Sequence, residues 1–296
     1  MDYLEQQEIK EISAIFISHA DYDHIAGVPT LLLAPDLMVR EVFVNPDKKQ
    51  TDIWKNLRIA IAEARKKKGT KVNVQLTTSG PGEFNLDQTK IRVLAPEPEL
   101  ALSGAGGVYL EDRALSSNAM SAVLQLVKGD ESIAILPGDI EGRNIETWLN
   151  EHESMQARIL LFPHHGGKLH PTKTIELAEK LCEKIQPEFI VFSIGRGKYH
   201  LPNPDVIQKI REALPEVKIM CTQLSEHCAP ELPYKEFRHR TNLPAAGEHT
   251  NSCCAGSIII DLSRDEIEVK PEMEELVSFI NKVAPGAICL GDLDQT

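Results

Sequence analysis

Residues 18–24 read Ser-His-Ala-Asp-Tyr-Asp-His and directly follow the apolar run Ala14–Ile17. The His19 imidazole and the Asp21 carboxylate are two residues apart, so an extended chain projects them to the same side. Asp23 and His24 fall where the chain turns toward a helix, and Gly27 lets the backbone pass close. Two imidazole and carboxylate pairs offset in this way are what a two-metal site requires. The competing reading is a polar turn whose Asp residues cap a helix. The density and order of the ligand types weigh against it.

Three later apolar runs end in the same manner. "ILPGDIEG", 135–142, ends in Asp139, a residue placed either to bridge two cations or to make an ordinary turn. "ILLFPHHGGK", 159–168, ends in His164 and His165, followed by two glycines. "FIVFSIGRGKYHLPNPDV", 189–206, leads into Arg196, Lys198, Tyr199 and His200. One such histidine is more often structural. Four strand-like runs that all end in His or Asp make a pattern, because α/β sheets gather their sites at strand ends on one edge. Lys168, Arg196 and Lys198 lie beside these ends and are candidates to hold a phosphate, with ordinary surface charge as the alternative.

Elements that could position these groups follow from periodicity. Strand-like runs fall near 13–17, 40–44, 71–77, 90–94, 121–127, 131–136, 158–162, 188–193, 217–221, 257–262 and 265–269. Helix-like stretches fall near 25–34, 51–67, 142–153, 172–185, 204–213 and 272–283. The mixture predicts an α/β protein whose sheets are buried against helices. A Gly/Ser-rich loop spans 101–118, and 222–256 lacks periodicity, as a long insertion does.

The 296 residues suffice for one large domain or two small ones, and 42% hydrophobic content supports a core. No apolar run approaches the roughly 20 residues of a membrane span. The charged start "MDYLEQQEIKEI" is not a signal peptide, so a cytoplasmic protein is expected. A net charge of −12 argues against a broad nucleic-acid-binding face while leaving room for a local basic groove. The dense basic stretch, 64–71, reads as a solvated helix end.

Six cysteines in a chain of this length do not make a disulfide scaffold. Cys221, Cys228, Cys253 and Cys254, with His227, His239 and His249 among them, lie in or beside the aperiodic segment, and this suits a structural zinc site. The expected ligands are Cys221, Cys228, His249, Cys253 and Cys254; free, partly buried cysteines are the alternative. Cys182 and Cys289 read as plain core or surface residues.

The motifs "SHADYDHIAG", "LPGDIEG", "PHHGGK" and "SIGRGKYHLPNPDV", in this order, resemble those of metallo-β-lactamase-fold hydrolases. More narrowly they are similar to the ComEC-like subgroup, the hydrolase domain of competence proteins and its soluble relatives. That subgroup carries Asp at the position of Asp21, and "SSNAMSAVLQL", 116–126, resembles its Asn-and-Ser segment. The resemblance spans about residues 13–215. It implies an αββα sandwich and two divalent ions, Zn or Mn. His19 and Asp21 would hold one ion, Asp23 and His24 the other, and Asp139 would bridge them. One of His164 and His165 would add a ligand, and His200 matches the last histidine with its register shifted by one. Asn118 stands where other branches bring a further His. Asp23 and Asp139 would be the catalytic carboxylates.

The resemblance points to phosphodiester hydrolysis through a metal-bridging hydroxide, with DNA among the substrates. A small-molecule hydrolase, of a lactone or cyclic nucleotide, is the rival enzyme. A non-catalytic, truncated partner-binding member is the rival outside enzymology. Relatives carry two or three strands before the opening motif and this chain carries at most one, so an N-terminally incomplete fold is expected. Its open edge, with Ile15 and Ile17, would invite self-association or a partner strand. The expected organisation is a hydrolase domain over 1–270, containing the Cys/His-rich insertion 221–256, then a C-terminal helix and tail over 271–296.

Overall fold

The run around residue 15 becomes β1 (Glu11–Ile17), preceded by a short helix α1 (Asp2–Gln6), in a computed structural model of the chain. The structure describes residues 1–80, 83–86, 88–108, 114–151, 155–197, 199–234, 239–263 and 266–291. Lys198 therefore lies outside the described residues. The chain divides into two compact units, one of residues 1–127 and 137–148, the other of 128–136 and 149–296.

In the first unit, β1 is followed by α2 (Tyr22–Ile25), α3 (Val28–Leu33), β2 (Met38–Val44), α4 (Asp52–Lys68) and β3 (Lys71–Asn73). The strands form a parallel sheet in the order β1-β2-β3, with Ile15 opposite Val42 and Ile17 opposite Val44. Parallel neighbours need helical crossovers, and α3 and α4 supply them. Alternation along β1 sends Ile15 and Ile17 to the helix layer, where they meet Leu32, Trp54, Leu57 and Ala60. Ala14 and Phe16 point the other way. There they meet Phe84 of β4 (Glu83–Leu86), Val93 of β5 (Thr89–Ala95) and Leu124 of β6 (Val123–Lys128). The first unit is thus helices on a sheet on a second sheet, with α5 (Pro98–Ser103) between β5 and β6. β1 is an edge strand, as expected, yet its apolar side chains are covered within the unit. The basic run closes α4 and is terminated by Gly69 at φ 72°.

In the second unit, β7 (Glu131–Leu136), β8 (Ile159–Leu161), β9 (Phe189–Phe192) and β10 (Lys218–Cys221) are parallel neighbours. Every residue of β9 is buried, as a strand covered on both faces requires. Helix α6 (Gly142–Glu151) begins in the first unit. α7 (Thr174–Ile185) buries Leu177, Leu181 and Ile185, and α8 (Pro204–Ala213) buries Val206, Ile207 and Ile210. β11 (Ile259–Asp261) and β12 (Glu268–Lys270) make an antiparallel pair. α9 (Met273–Val283) buries Leu276, Phe279 and Ile280. The Phe279 ring stacks on His239 at 4.0 Å, within the same unit.

Candidate metal centre

β1 ends at Ile17, and Asp21 occupies the N-cap position of α2 in extended conformation, so residues 18–21 cross from strand to helix. His19 is held in the core beneath this turn, while Asp23 and His24 ride on α2. The third part is the turn at Pro137-Gly138-Asp139. It is fixed by the Asp139 backbone N–H, which donates to Ser121 Oγ at 3.1 Å. The Ala122 N–H in turn donates to Ser18 O at 3.0 Å. Gly138 sits at φ 57°, and a Cβ there would come within 3.0 Å of Ser18 Cβ and 3.2 Å of Ser121 Cβ. Close approach of three segments explains that glycine.

The Asp139 carboxylate divides between the two imidazoles. Oδ1 lies 3.3 Å from His24 Nε2 and Oδ2 lies 3.8 Å from His19 Nε2. Asp21 Oδ1 is 3.9 Å from His19 Nε2, and Asp23 Oδ2 is 3.8 Å from His24 Nε2. Each histidine thus has its own carboxylate and shares Asp139. Both Nδ1 atoms face hydroxyls: Ser18 Oγ is 3.1 Å from His19 Nδ1 and 3.2 Å from His24 Nδ1, and Ser121 Oγ is 3.1 Å from His19 Nδ1. Burial, with the neighbouring His24 charge, pushes the His19 pKa down to about 4, so this imidazole is neutral. For His24, burial acts downward, but the Asp139 hydrogen bond and charge outweigh it and the pKa is raised.

The group fits a cation. His19 Nε2 is buried and makes no hydrogen bond among the described residues. Its carboxylate neighbours stand near the roughly 3.3–3.5 Å at which two ligands of one first-row ion sit. Asp23, His24 and Asp139 each offer a ligand atom within 4.8 Å of the others.

Sequence reasoning missed three residues here. Ser18 and Ser121 orient the histidines, and Lys49 places its ammonium on the Asp21 carboxylate. No periodicity or motif marks them; only adjacency to His19 could have drawn attention to Ser18.

The remaining candidates lie in the second unit. His164 and His165 follow β8 in a turn, both with positive φ, at 50° and 55°. His165 Nδ1 is 2.6 Å from Ser193 O, so Nδ1–H donates and, in the neutral ring, Nε2 is the nitrogen with the lone pair. That is the preparation a ligating imidazole shows. His200 Nδ1 instead pairs with Glu226 at 2.7 Å on an exposed surface. Arg196 is tied to backbone carbonyls, with Nη1 on Leu224 O at 3.1 Å and Nη2 on Pro230 O at 2.7 Å. Lys168 is exposed. Of the expected zinc ligands, Cys221, Cys253 and Cys254 are buried, Cys228 is half-buried and His249 is exposed.

The sequence profile of the Metallo-beta-lactamase superfamily matches residues 2–45, the stretch that holds β1, His19, Asp21, Asp23 and His24, and β2. Over 214 residues, 71% of this chain, the sequence is 25% identical to ComE operon protein 3 of Bacillus subtilis (strain 168). The chain spans 23% of that protein's length. Igni18, a novel metallo hydrolase from the hyperthermophilic archaeon Ignicoccus hospitalis KIN4/I, matches with 14% identity and a TM-score of 0.40 over 71% of this chain and 75% of that one. The α/β class expected from the sequence and the likeness to metallo-β-lactamase proteins are both borne out.

Proposed function

We propose that this chain is a metal-dependent hydrolase of phosphodiesters, a nuclease or phosphodiesterase. The observation that carries the reading is the Asp139 carboxylate, whose two oxygens face two different histidines, each with a private carboxylate. His19 with Asp21, and Asp23 with His24, are the two ligand pairs; Asp139 is shared. Divalent ions held there would supply an acidified water and charge neutralisation on the attacked phosphorus. The protein's own part is to keep the His19 imidazole neutral, to fix Asp139 through its backbone and to leave Asp23 partly open to solvent. Carboxylate-rich ligands suit Mn²⁺ as well as Zn²⁺.

A second reading, hydrolysis of a small anionic or neutral molecule such as a cyclic nucleotide or lactone, is favoured by the net charge of −12. Metal-depleted protein reloaded with Mn²⁺ or Zn²⁺ separates the two when offered single-stranded DNA, a small phosphodiester and a lactone. Cleavage of the single-stranded DNA, lost in Asp139→Ala, supports the proposal; cleavage of the small phosphodiester without the DNA supports the second reading. Turnover of the lactone alone would overturn the proposal, and so would full metal loading without hydrolysis of any of the three.

A further inference from the structure

β2 ends at Val44 and α4 opens at Asp52, and the loop between them is tied down along its length. The buried Asn45 side chain accepts Leu76 N–H and donates to Leu76 O, at 2.8 Å each. The Asp47 carboxylate takes two donors, Lys49 N–H on Oδ1 at 2.7 Å and the buried Ser117 hydroxyl on Oδ2. Trp54 Nε1–H donates to Asp47 O at 3.2 Å, and the Asp47 backbone bridges to Ala105. What this loop presents is the Lys49 ammonium, set on the Asp21 carboxylate and about one-third exposed. All of these residues belong to the first unit.

We propose that Lys49 is a substrate-binding residue whose ammonium holds a non-bridging oxygen of the phosphodiester. The inference rests on the hydrolase reading above and adds to it the side chain that selects a phosphate anion. A divalent ion and the ammonium compete for the Asp21 oxygens, and an ion on Asp21 leaves Lys49 in need of another anion. The flexible four-carbon stem lets the ammonium turn to one while the backbone stays fixed on Asp47. Lysine binds phosphate in this way, as a point charge. Charge balance favours the same assignment. The carboxylates of Asp21, Asp23 and Asp139 cancel three of the four positive charges that two divalent ions carry, and Lys49 doubles what remains to attract a monoanionic diester.

A plain surface pair of Lys and Asp contributes little to stability and would not call for buried Asn45 and Ser117 to fix the loop behind it. Of the cations expected from sequence to hold a phosphate, the Arg196 guanidinium is already spent on Leu224 O and Pro230 O. Lys48, the residue before Lys49, is exposed and lies over Gly106, where an added Cβ would meet Lys48 Cβ at 3.4 Å. Lys48 therefore serves as a control of equal charge.

The test titrates the zinc-loaded full chain with inorganic phosphate by calorimetry, beside steady-state hydrolysis of single-stranded DNA, with zinc counted on every variant. Lys49→Ala should weaken phosphate binding at least about tenfold, the loss expected for one charge-assisted hydrogen bond. It should raise KM for DNA with a much smaller change in kcat, and keep its zinc. Lys49→Arg should recover most of the phosphate affinity, and Lys48→Ala should match wild type. Lys49→Met keeps the stem and carries the test if alanine disturbs the loop. Phosphate affinity unchanged in Lys49→Ala and Lys49→Met would overturn the inference, and so would an equal loss in Lys48→Ala. Zinc lost together with phosphate would also overturn it, because Lys49 would then be a prop for Asp21. Phosphate binding that depends on Lys49, without hydrolysis of DNA, would uphold the anion site and overturn the hydrolase reading instead.

Discussion

Ser121 Oγ lies 3.1 Å from His19 Nδ1 and accepts the Asp139 backbone N–H at the same distance, so one hydroxyl positions both a histidine and the carboxylate it faces. A hydroxyl oxygen has two lone pairs and can accept both hydrogens. In that arrangement His19 carries its proton on Nδ1 and turns a bare Nε2 toward Asp139 and Asp21. Ser18 serves His24 in the same manner at 3.2 Å. The tautomer of a ligating histidine is set by what its other nitrogen touches.

Ser121→Ala should therefore weaken metal binding about 10–100-fold, the usual cost of losing such a partner. Isothermal titration of the metal-free variant with Mn²⁺ reads this directly. Affinity equal to wild type would show that Ser121 only fills space. A melting temperature of the metal-free variant close to wild type separates mispositioning from loss of fold.

Gly138→Ala should do harm of two kinds. The left-handed conformation costs a non-glycine residue about 1–2 kcal/mol. The added methyl also meets Ser18 and Ser121 Cβ at 3.0 and 3.2 Å, with backbone-anchored neighbours that cannot swing aside. The variant should melt several degrees lower and bind metal more weakly than its stability loss explains. Lower stability with untouched metal affinity would mean that the turn absorbs the strain without moving Asp139.

Lys49→Ala has the opposite sign. The Lys49 ammonium sits on the Asp21 carboxylate, and its loop is pinned by the Lys49 N–H on Asp47 Oδ1 at 2.7 Å. A resident positive charge competes with a metal ion for the same oxygens. Removing it should tighten binding at the His19 and Asp21 side by a few-fold; both groups are about one-third exposed, so screening keeps the gain small. Weaker binding in the variant would show that Lys49 holds Asp21 in its ligating position instead.

Periodicity located the strands well because most are apolar runs of limited length bounded by turns. All the strand-like and helix-like stretches have counterparts in the structure. β4 escaped because "EFNL" is only four residues long and gains its place by pairing Glu83 with Arg92 across a hairpin. β3 stops at Asn73 instead of running to 77, since Leu76 N–H and O go to the Asn45 side chain at 2.8 Å each. The ligand cluster was legible because His and Asp at those spacings are rare outside metal sites. Ser121 was not, because a serine 102 residues from His19 in sequence carries no sign of its partner. The units interleave, with 128–136 and 137–148 assigned to different ones, and no shift in composition marks those crossings.

Cys182 provides a built-in reference for thiol chemistry. It is fully buried on α7, and burial, with Glu183 and Glu179 nearby, pushes its thiol up to about 12. A group whose pKa rises this far stays protonated through neutral and mildly alkaline pH, and only the thiolate attacks a disulfide reagent. At pH 8 in native conditions Cys182 should therefore be silent toward an aromatic disulfide reagent for hours, then react at once in denaturant. Mapping of the labelled peptides identifies the site. Rapid native labelling of Cys182 would mean that α7 opens on that timescale, and the packing of Leu177, Leu181 and Ile185 around it would have to be weaker than their burial indicates.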